Sequence, residues 1–286
     1  FTCSYAMMSR DEHFLRLTFL ILFLFGNYLA DIPDGIRDHR ITKIVMIEMA
    51  DLLADNYCTN ITKPKSGHLK DIHPEKHKRC HLEGGYDTMT KLFINPRDSV
   101  SRERFFNGLW HSKVGKTMKK VFKRLGVAEA DVMLALAQTW FQEYIDMEHS
   151  PFPITLFQVI LASTLGESNH VSLSDWYGVS NAIKLGFINV TSARSKVIKD
   201  KSLMYLKANV TVKHRPKVLQ VGFVYGLHPY FTVALITLCY WSRQDKCEVS
   251  LRDVRTPLII HVSHDDDKLY CGAIYPKNVK NMRFCS

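Results

Sequence analysis

The stretch VLQVGFVYGLHPYFTVALITLCY, residues 218–240, decides how the C-terminal half of the chain folds. It holds two almost unbroken apolar runs, 218–224 and 230–240, separated by Gly226 and Pro229. Both runs are rich in β-branched and aromatic residues, which pack well on a pleated sheet. The pattern therefore predicts two buried strands joined by a turn, and it favours strands over a single membrane-spanning helix.

Shorter strand-like segments follow on the C-terminal side. We expect strands at 248–251, 258–262 and 269–274, because each is a short apolar run bounded by polar residues. The last two are separated by His-Asp-Asp-Asp at 264–267. Three adjacent aspartates point in different directions, so this segment predicts a β-turn rather than a calcium site.

Upstream of residue 200, the apolar residues recur at helical spacing. Residues 129–147 carry an apolar stripe at intervals of three or four, and 101–110 and 174–184 show shorter versions. Ser101 is the expected N-cap of its helix, with Glu103 in the first turn. A further helix is expected at 44–57. Helices followed by strands predict an α+β domain.

The N-terminus has the features of a secretory leader. Residues 15–25 (LRLTFLILFLF) are almost entirely apolar, Arg10 precedes them and the small residue Ala30 follows. The run is shorter than the about 20 residues that cross a bilayer. We interpret 1–30 as upstream translation and a cleaved signal peptide. Three glycosylation sequons follow it and support export, at Asn60, Asn189 and Asn209.

The cysteines agree with an oxidising compartment. Cys3 falls in the leader, and six cysteines remain, which predicts three disulfides. Proximity favours Cys58 with Cys80 and pairs within the last four, and no zinc-ligand spacing occurs. We divide the chain into the leader, an N-terminal extension (31–87), a main domain (88–245) and a cysteine-containing tail (246–286). The six cysteines are Cys58, Cys80, Cys239, Cys247, Cys271 and Cys285.

The chain carries a net charge of +10, which favours anionic partners. Residues 113–124 concentrate this charge, with apolar residues interleaved. If the segment is helical, it forms a basic face for an acidic polysaccharide, a lipid surface or a partner protein. The alternative, that these residues form a solvent-exposed helix face that binds no ligand, fits the sequence equally well. The basic residues are Lys113, Lys116, Lys119, Lys120, Lys123 and Arg124.

Several short segments occur in a suggestive order. They are RERFFNGLWHSKVGK, LALAQTWFQEYIDMEHS, GES and DWYGVSNAI. In this order they resemble the CAP superfamily of cysteine-rich secretory proteins, insect antigen 5 and helminth venom-allergen-like proteins. The resemblance implies a CAP-like α-β-α sandwich at 88–245, with a cysteine-containing extension before it and a disulfide-bonded tail after it. It also implies a cleft near His149 and Glu167, the two residues that match the family's set. His170, three residues from Glu167, is a further candidate that the resemblance does not require.

The function expected from this resemblance is binding without catalysis. The partner would be an extracellular protein, a lipid or sterol, or an anionic polysaccharide, with weak contact to a membrane surface and no specific nucleic acid. We expect no cofactor and no metal, because one histidine and one glutamate are too few ligands. The alternative is a secreted, metal-assisted hydrolase that uses His149, Glu167 and His170.

Overall fold

The computed structural model describes ten stretches of the chain, and all of them belong to the second of two compact units, 1–32 and 33–286. The predicted leader, Asn60 and the Cys58–Cys80 loop lie outside the described residues. The predicted helix at 44–57 is described only at 47–51, which are helical. The described stretches are 47–51, 86–95, 97–124, 126–144, 154–162, 173–199, 203–213, 218–252, 254–265 and 268–279.

Four helices come first: α1 (Tyr86–Ile94), α2 (Ser99–His111), α3 (Lys113–Arg124) and α4 (Glu129–Phe141). The expected start of α2 was wrong. Asp98, not Ser101, is the N-cap, and its side chain accepts a hydrogen bond from the Ser101 backbone nitrogen at 3.2 Å. The helix therefore begins earlier, and Glu103 lies beyond its first turn.

The predicted start of α4 at Glu129 is confirmed, but its predicted end at Met147 was wrong. The helix ends at Phe141, and β1 (Glu143–Tyr144) pairs antiparallel with β2 (Ile154–Thr155). Strand pairing here overrides an apolar pattern that would suit a longer helix. A short π-helix (Gln158–Ala162) and α5 (Trp176–Lys184) follow. The helix predicted at 174–184, with Trp176, Tyr177 and Ala182 inward, is confirmed.

The longest strands were missed by the sequence analysis. β3 (Ile188–Lys199) and β4 (Leu203–Val212) form an antiparallel sheet with β5 (Val218–Tyr225), in the order β3-β4-β5. β3 lies at the sheet edge, and Ile188 is its only fully buried residue. A strand that buries so little gives no clear alternation of apolar and polar residues. β5 was predicted and is confirmed.

The strand predicted at 230–240 was wrong, because these residues form α6 (Pro229–Trp241). Every residue of α6 is buried. A helix buried on all sides has no polar face, so its sequence does not show the helical period. Pro229 at the first turn and His228 at the N-cap mark the helix start instead, and the His228 ring accepts a hydrogen bond from the Tyr230 backbone nitrogen at 3.2 Å.

The three C-terminal strands were predicted and are confirmed, although the first lies two residues earlier than expected and the other two are longer. β6 (Lys246–Val249), β7 (Leu258–Asp265) and β8 (Lys268–Pro276) form a second antiparallel sheet in that order. Asp265 pairs with Lys268, so β7 and β8 are joined through only residues 266 and 267. This agrees with the predicted turn.

A disulfide and two hydrogen bonds hold α6 among its neighbours. Cys239, near the end of the helix, is bonded to Cys247 of β6. Cys271 is also disulfide-bonded, with a partner outside the described residues. Trp140 of α4 donates its indole hydrogen to the Thr237 hydroxyl at 2.7 Å, and Trp241 donates to the Thr139 hydroxyl at 3.2 Å. The helical and sheet parts therefore share one core.

The α+β class is confirmed, but the α-β-α sandwich was wrong. The described strands form two small three-stranded antiparallel sheets and one two-stranded ladder, rather than one sheet between two helical layers. Among the described residues, no helix combines the length and the apolar character needed to cross a bilayer. The domain boundaries at 30, 87 and 245 stay a prediction.

Candidate functional site

A small cavity lies where the N-terminus of α5 meets α6, the end of β5 and β8. Its accessible volume is about 10 Å³, which is room for about a single water molecule. The loop before α6 is held there by the Trp176 indole, which donates to the Leu227 carbonyl at 2.5 Å. The lining residues are Ser174, Asp175, Val224, Leu227, Thr232, Ile236, Gly272, Ala273 and Ile274.

Asp175 is the only ionisable side chain of this lining. One carboxylate oxygen accepts a hydrogen bond from the Tyr177 backbone nitrogen at 2.8 Å and so caps α5. The other accepts from the Thr232 hydroxyl at 3.0 Å. Burial raises the pKa of Asp175 to about 6, although these hydrogen bonds oppose the shift. Near neutral pH this carboxyl can therefore exist with or without its proton.

The histidines whose side chains are described lie on separate elements. His228 caps α6 and packs against the Tyr230 ring at 4.7 Å. His261 is half-buried on β7, where burial and then Lys246 lower its pKa. His111 is exposed, and its Nδ1 lies 2.8 Å from the Asn107 carbonyl oxygen. Within the described residues, no group of three or more His, Cys, Asp or Glu side chains is arranged to hold a metal ion.

The predicted cleft residues His149, Glu167 and His170 all lie outside the described residues. The structure therefore does not test whether they meet.

The predicted basic segment is helical throughout, as α3, and its apolar side is buried. Two of its six cations are engaged. Lys119 lies 2.7 Å from the Glu129 carboxylate and 4.8 Å from the centre of the Trp110 ring. Arg124 pairs with Glu48 at 2.7 Å. The other four lysines are exposed and spaced along one side of the helix: Lys113, Lys116, Lys120 and Lys123.

The sheet β3-β4-β5 has one side packed on the core and one side turned away from it. Strand alternation and the pairing register place a common set of residues on the second side. Two sequon asparagines, Asn189 and Asn209, are in this set. We call the exposed and half-buried part of this side the outer face. Its residues are Phe187, Asn189, Ser192, Arg194, Lys196, Lys207, Asn209, Thr211, Val218 and Gln220.

The outer face ends at a buried tyrosine. Tyr205 lies two residues before Lys207, on the same side of β4, and is 5% exposed. Burial, and then the neighbouring Tyr275 of β8, raise the pKa of Tyr205 to about 12. Its phenol therefore stays protonated.

Sequence reasoning missed both the Asp175 cavity and the outer face. Asp175 is the second residue of the helix predicted at 174–184, and an aspartate at a helix start is a usable signal for an N-cap. The outer face also left a signal. Residues 186–227 contain eight lysines and arginines but a single acid, Asp200.

Comparison with known proteins corrects the resemblance to the CAP superfamily. A sequence model of the family described as Endoribonuclease XendoU matches residues 85–276, from α1 to β8. The fold is similar to that reported as "The structure of XendoU: a splicing independent snoRNA processing endoribonuclease". The TM-score is 0.57 with 14% identity, over 81% of this chain and 96% of that chain. No curated protein sequence matches significantly. The family match covers about two thirds of the chain, so this protein belongs to the XendoU endoribonuclease family.

Proposed function

We propose that the protein is an endoribonuclease that cleaves RNA internally. The observation that supports this proposal is the family match over residues 85–276. These residues include the Asp175 cavity and the outer face. The expectations of a non-enzymatic binder, of a metal-assisted hydrolase on a CAP-like cleft and of no specific nucleic acid are all overturned by this match. RNA replaces the lipid, polysaccharide and protein partners as the expected ligand.

Internal cleavage of RNA needs proton transfer at two oxygens. A base takes the proton of the attacking hydroxyl, and an acid gives a proton to the oxygen of the strand that leaves. A group with a pKa near the working pH serves best in either role. Asp175 has such a pKa, lines a cavity and is held in place by Tyr177 and Thr232. Because its side chain is buried and the cavity has room for about one water molecule, we infer that Asp175 supports the site by tying α5 to α6 and does not itself transfer a proton to RNA.

The test compares the full chain with Asp175→Asn on single-stranded RNA, with cleavage products separated on a denaturing gel. Asparagine still accepts hydrogen bonds at the N-cap but does not ionise. We expect the variant to cleave about 10-fold more slowly, because a changed contact between α5 and α6 displaces the groups that act on RNA. Asp131→Asn, an exposed carboxylate on α4, is the control and should cleave normally.

The outcomes separate the activity from the assigned residue. If the native chain leaves RNA of varied sequence and structure intact, the proposed activity is wrong. If the native chain cleaves and Asp175→Asn cleaves equally well, the activity stands and the role of Asp175 is wrong. Circular dichroism of both variants checks that a loss of rate is not a loss of fold.

We also propose that the protein acts outside the cell. The apolar run at 15–25 supports this, and so does the Cys239–Cys247 disulfide, a bond typical of oxidising compartments. Expression of the full chain in a secreting eukaryotic cell tests it. Release into the medium, with a mass that falls after N-glycosidase treatment, is expected. Retention of the untrimmed chain inside the cell would contradict it.

A further inference from the structure

We propose that the outer face of the β3-β4-β5 sheet binds single-stranded RNA. The inference rests on the proposed function for the choice of RNA. It goes beyond that function by assigning the surface of this chain that holds the RNA.

The first argument is electrostatic. Arg194 lies directly opposite Lys207 in the sheet, and Lys196 follows two residues along the same side. Like charges at opposed positions destabilise a strand pair. The three strands contain no aspartate or glutamate that would offset this repulsion. Bound phosphates would offset it, because they are the anions of the proposed substrate.

The second argument is the row of polar side chains beside these cations. The Asn209 amide nitrogen donates to the Ser192 hydroxyl at 2.9 Å, and the Gln220 amide nitrogen donates to the Asn209 amide oxygen at 3.4 Å. Each amide nitrogen carries two hydrogens, so each retains one for a ligand. The row is therefore held in place and still offers donors to bases or phosphates.

The third argument is an exposed aromatic ring. Phe187 lies directly before β3, and its carbonyl accepts a hydrogen bond from the Lys213 backbone nitrogen at 2.8 Å, which continues the pairing of β3 with β4. This residue is 38% exposed. Aromatic side chains next to a cationic groove are the platforms on which unpaired bases stack. Paired bases are stacked inside a duplex and do not reach such a ring. This favours single-stranded over double-stranded RNA.

The lysines of α3 fit this role less well. They line one side of a helix, and the aromatic rings beside it, Trp110 and Phe122, are both buried. They provide a matched control, because the same charge can be removed there.

The main test measures binding of a fluorescein-labelled, 20-nucleotide single-stranded RNA of mixed sequence to the full chain, freed of any N-glycans, over a series of salt concentrations. We expect Arg194→Gln/Lys207→Gln to weaken binding about 10-fold and to reduce the salt slope by about 1.4, the value for two lost phosphate contacts on a single strand. The control Lys116→Gln/Lys120→Gln should change the affinity less than twofold.

Other results would overturn the inference. Equal losses in the two double variants would mean that only total charge matters. No loss in Arg194→Gln/Lys207→Gln, or no binding by the native chain, would exclude this surface.

A second test removes the ring. Phe187→Leu keeps an apolar side chain but loses the stacking plane, and we expect about 10-fold weaker binding of the single strand. A duplex of the same sequence should bind the native chain more weakly than the single strand. Equal binding of duplex and single strand would refute the strandedness. Cleavage is measured separately on the native chain, so a protein that binds through this face but does not cleave would refute the proposed function alone.

Discussion

The two three-stranded sheets have the same antiparallel topology but opposite charge patterns. β3-β4-β5 presents Arg194, Lys196 and Lys207 without an acid on any of its strands. In the β6-β7-β8 sheet, Glu248 lies 2.7 Å from the ammonium of Lys277, just after β8. Charges on the second sheet balance each other, as on an ordinary surface. The two sheets therefore cannot be told apart by their topology. Their charge patterns differ, and the uncompensated positive charge marks the sheet that we propose binds RNA.

The largest expected effect concerns Asp175, whose cavity is lined by the end of β5 and by β8. Its pKa is raised from 3.8 to about 6 on folding, so the folded protein keeps the proton longer than the unfolded chain. Stability is therefore greatest below the unfolded pKa and falls as the pH rises through the folded pKa. We expect a loss of roughly 3 kcal/mol between about pH 4 and pH 6.

Urea denaturation of the native chain and of Asp175→Asn, at several pH values, measures this loss. The difference in unfolding free energy between the two proteins should change over that interval and then level off. Parallel curves would show that the carboxyl does not titrate as the structure indicates.

Charge reversal should lower the affinity for RNA much more on the first sheet than on the second. We expect Arg194→Glu/Lys207→Glu to lower the affinity for single-stranded RNA by about 100-fold, since two attractions become repulsions. Lys246→Glu/Lys277→Glu makes the same change of charge on the other sheet. Fluorescence anisotropy at fixed salt should show a loss several times smaller there, and similar losses would make the two sheets equivalent.

Substitutions on the two sheets should also differ in their effect on stability, because β8 is packed in the core and β3 lies at a sheet edge. A Cβ added at Gly272 of β8 would lie 2.8 and 2.9 Å from two carbons of Ile236 and 3.0 Å from Ile160. Gly272→Ala should therefore destabilise the protein by about 2 kcal/mol through overpacking. Ser195→Ala on the exposed edge strand β3 should change the unfolding free energy by less than about 0.5 kcal/mol. Thermal denaturation of both variants measures the difference.

The smallest expected effect concerns sugars on the first sheet. If the sequons at Asn189 and Asn209 are used, their glycans lie on the outer face beside Arg194 and Lys207. Trimming them from secreted protein with an endoglycosidase, which leaves the asparagine amides intact, should then tighten binding of the single strand. Asn189→Gln/Asn209→Gln should bind equally well before and after the treatment. Unchanged affinity of the native chain would mean that the glycans are absent or lie clear of the RNA.

The sequence predicted one end of several elements correctly. α4 begins at Glu129, α5 ends at Lys184 and β5 begins at Val218, each as expected. The two main failures lie at opposite extremes. α6 buries every residue and β3 buries almost none, so neither shows the alternation on which such predictions depend.

The site was harder to predict than the fold. The CAP resemblance rested on a few short segments such as AQTW, which fit any amphipathic helix, whereas the XendoU match extends over residues 85–276. Asp175 and Thr232 are 57 residues apart in sequence and meet only when α5 and α6 are packed. A contact between residues so far apart in sequence cannot be predicted from a local motif. The basic outer face, in contrast, could have been found by counting acids between residues 186 and 227.

The burial of α6 on every side has a consequence for the integrity of the protein. A helix without a water-facing surface is soluble only while all of its neighbours are present. A protease that cuts the loop between β6 and β7 and releases the following strands would uncover Ile236, which packs against Gly272 of β8. The remaining piece would aggregate rather than refold, so nicking at that loop would inactivate the molecule irreversibly.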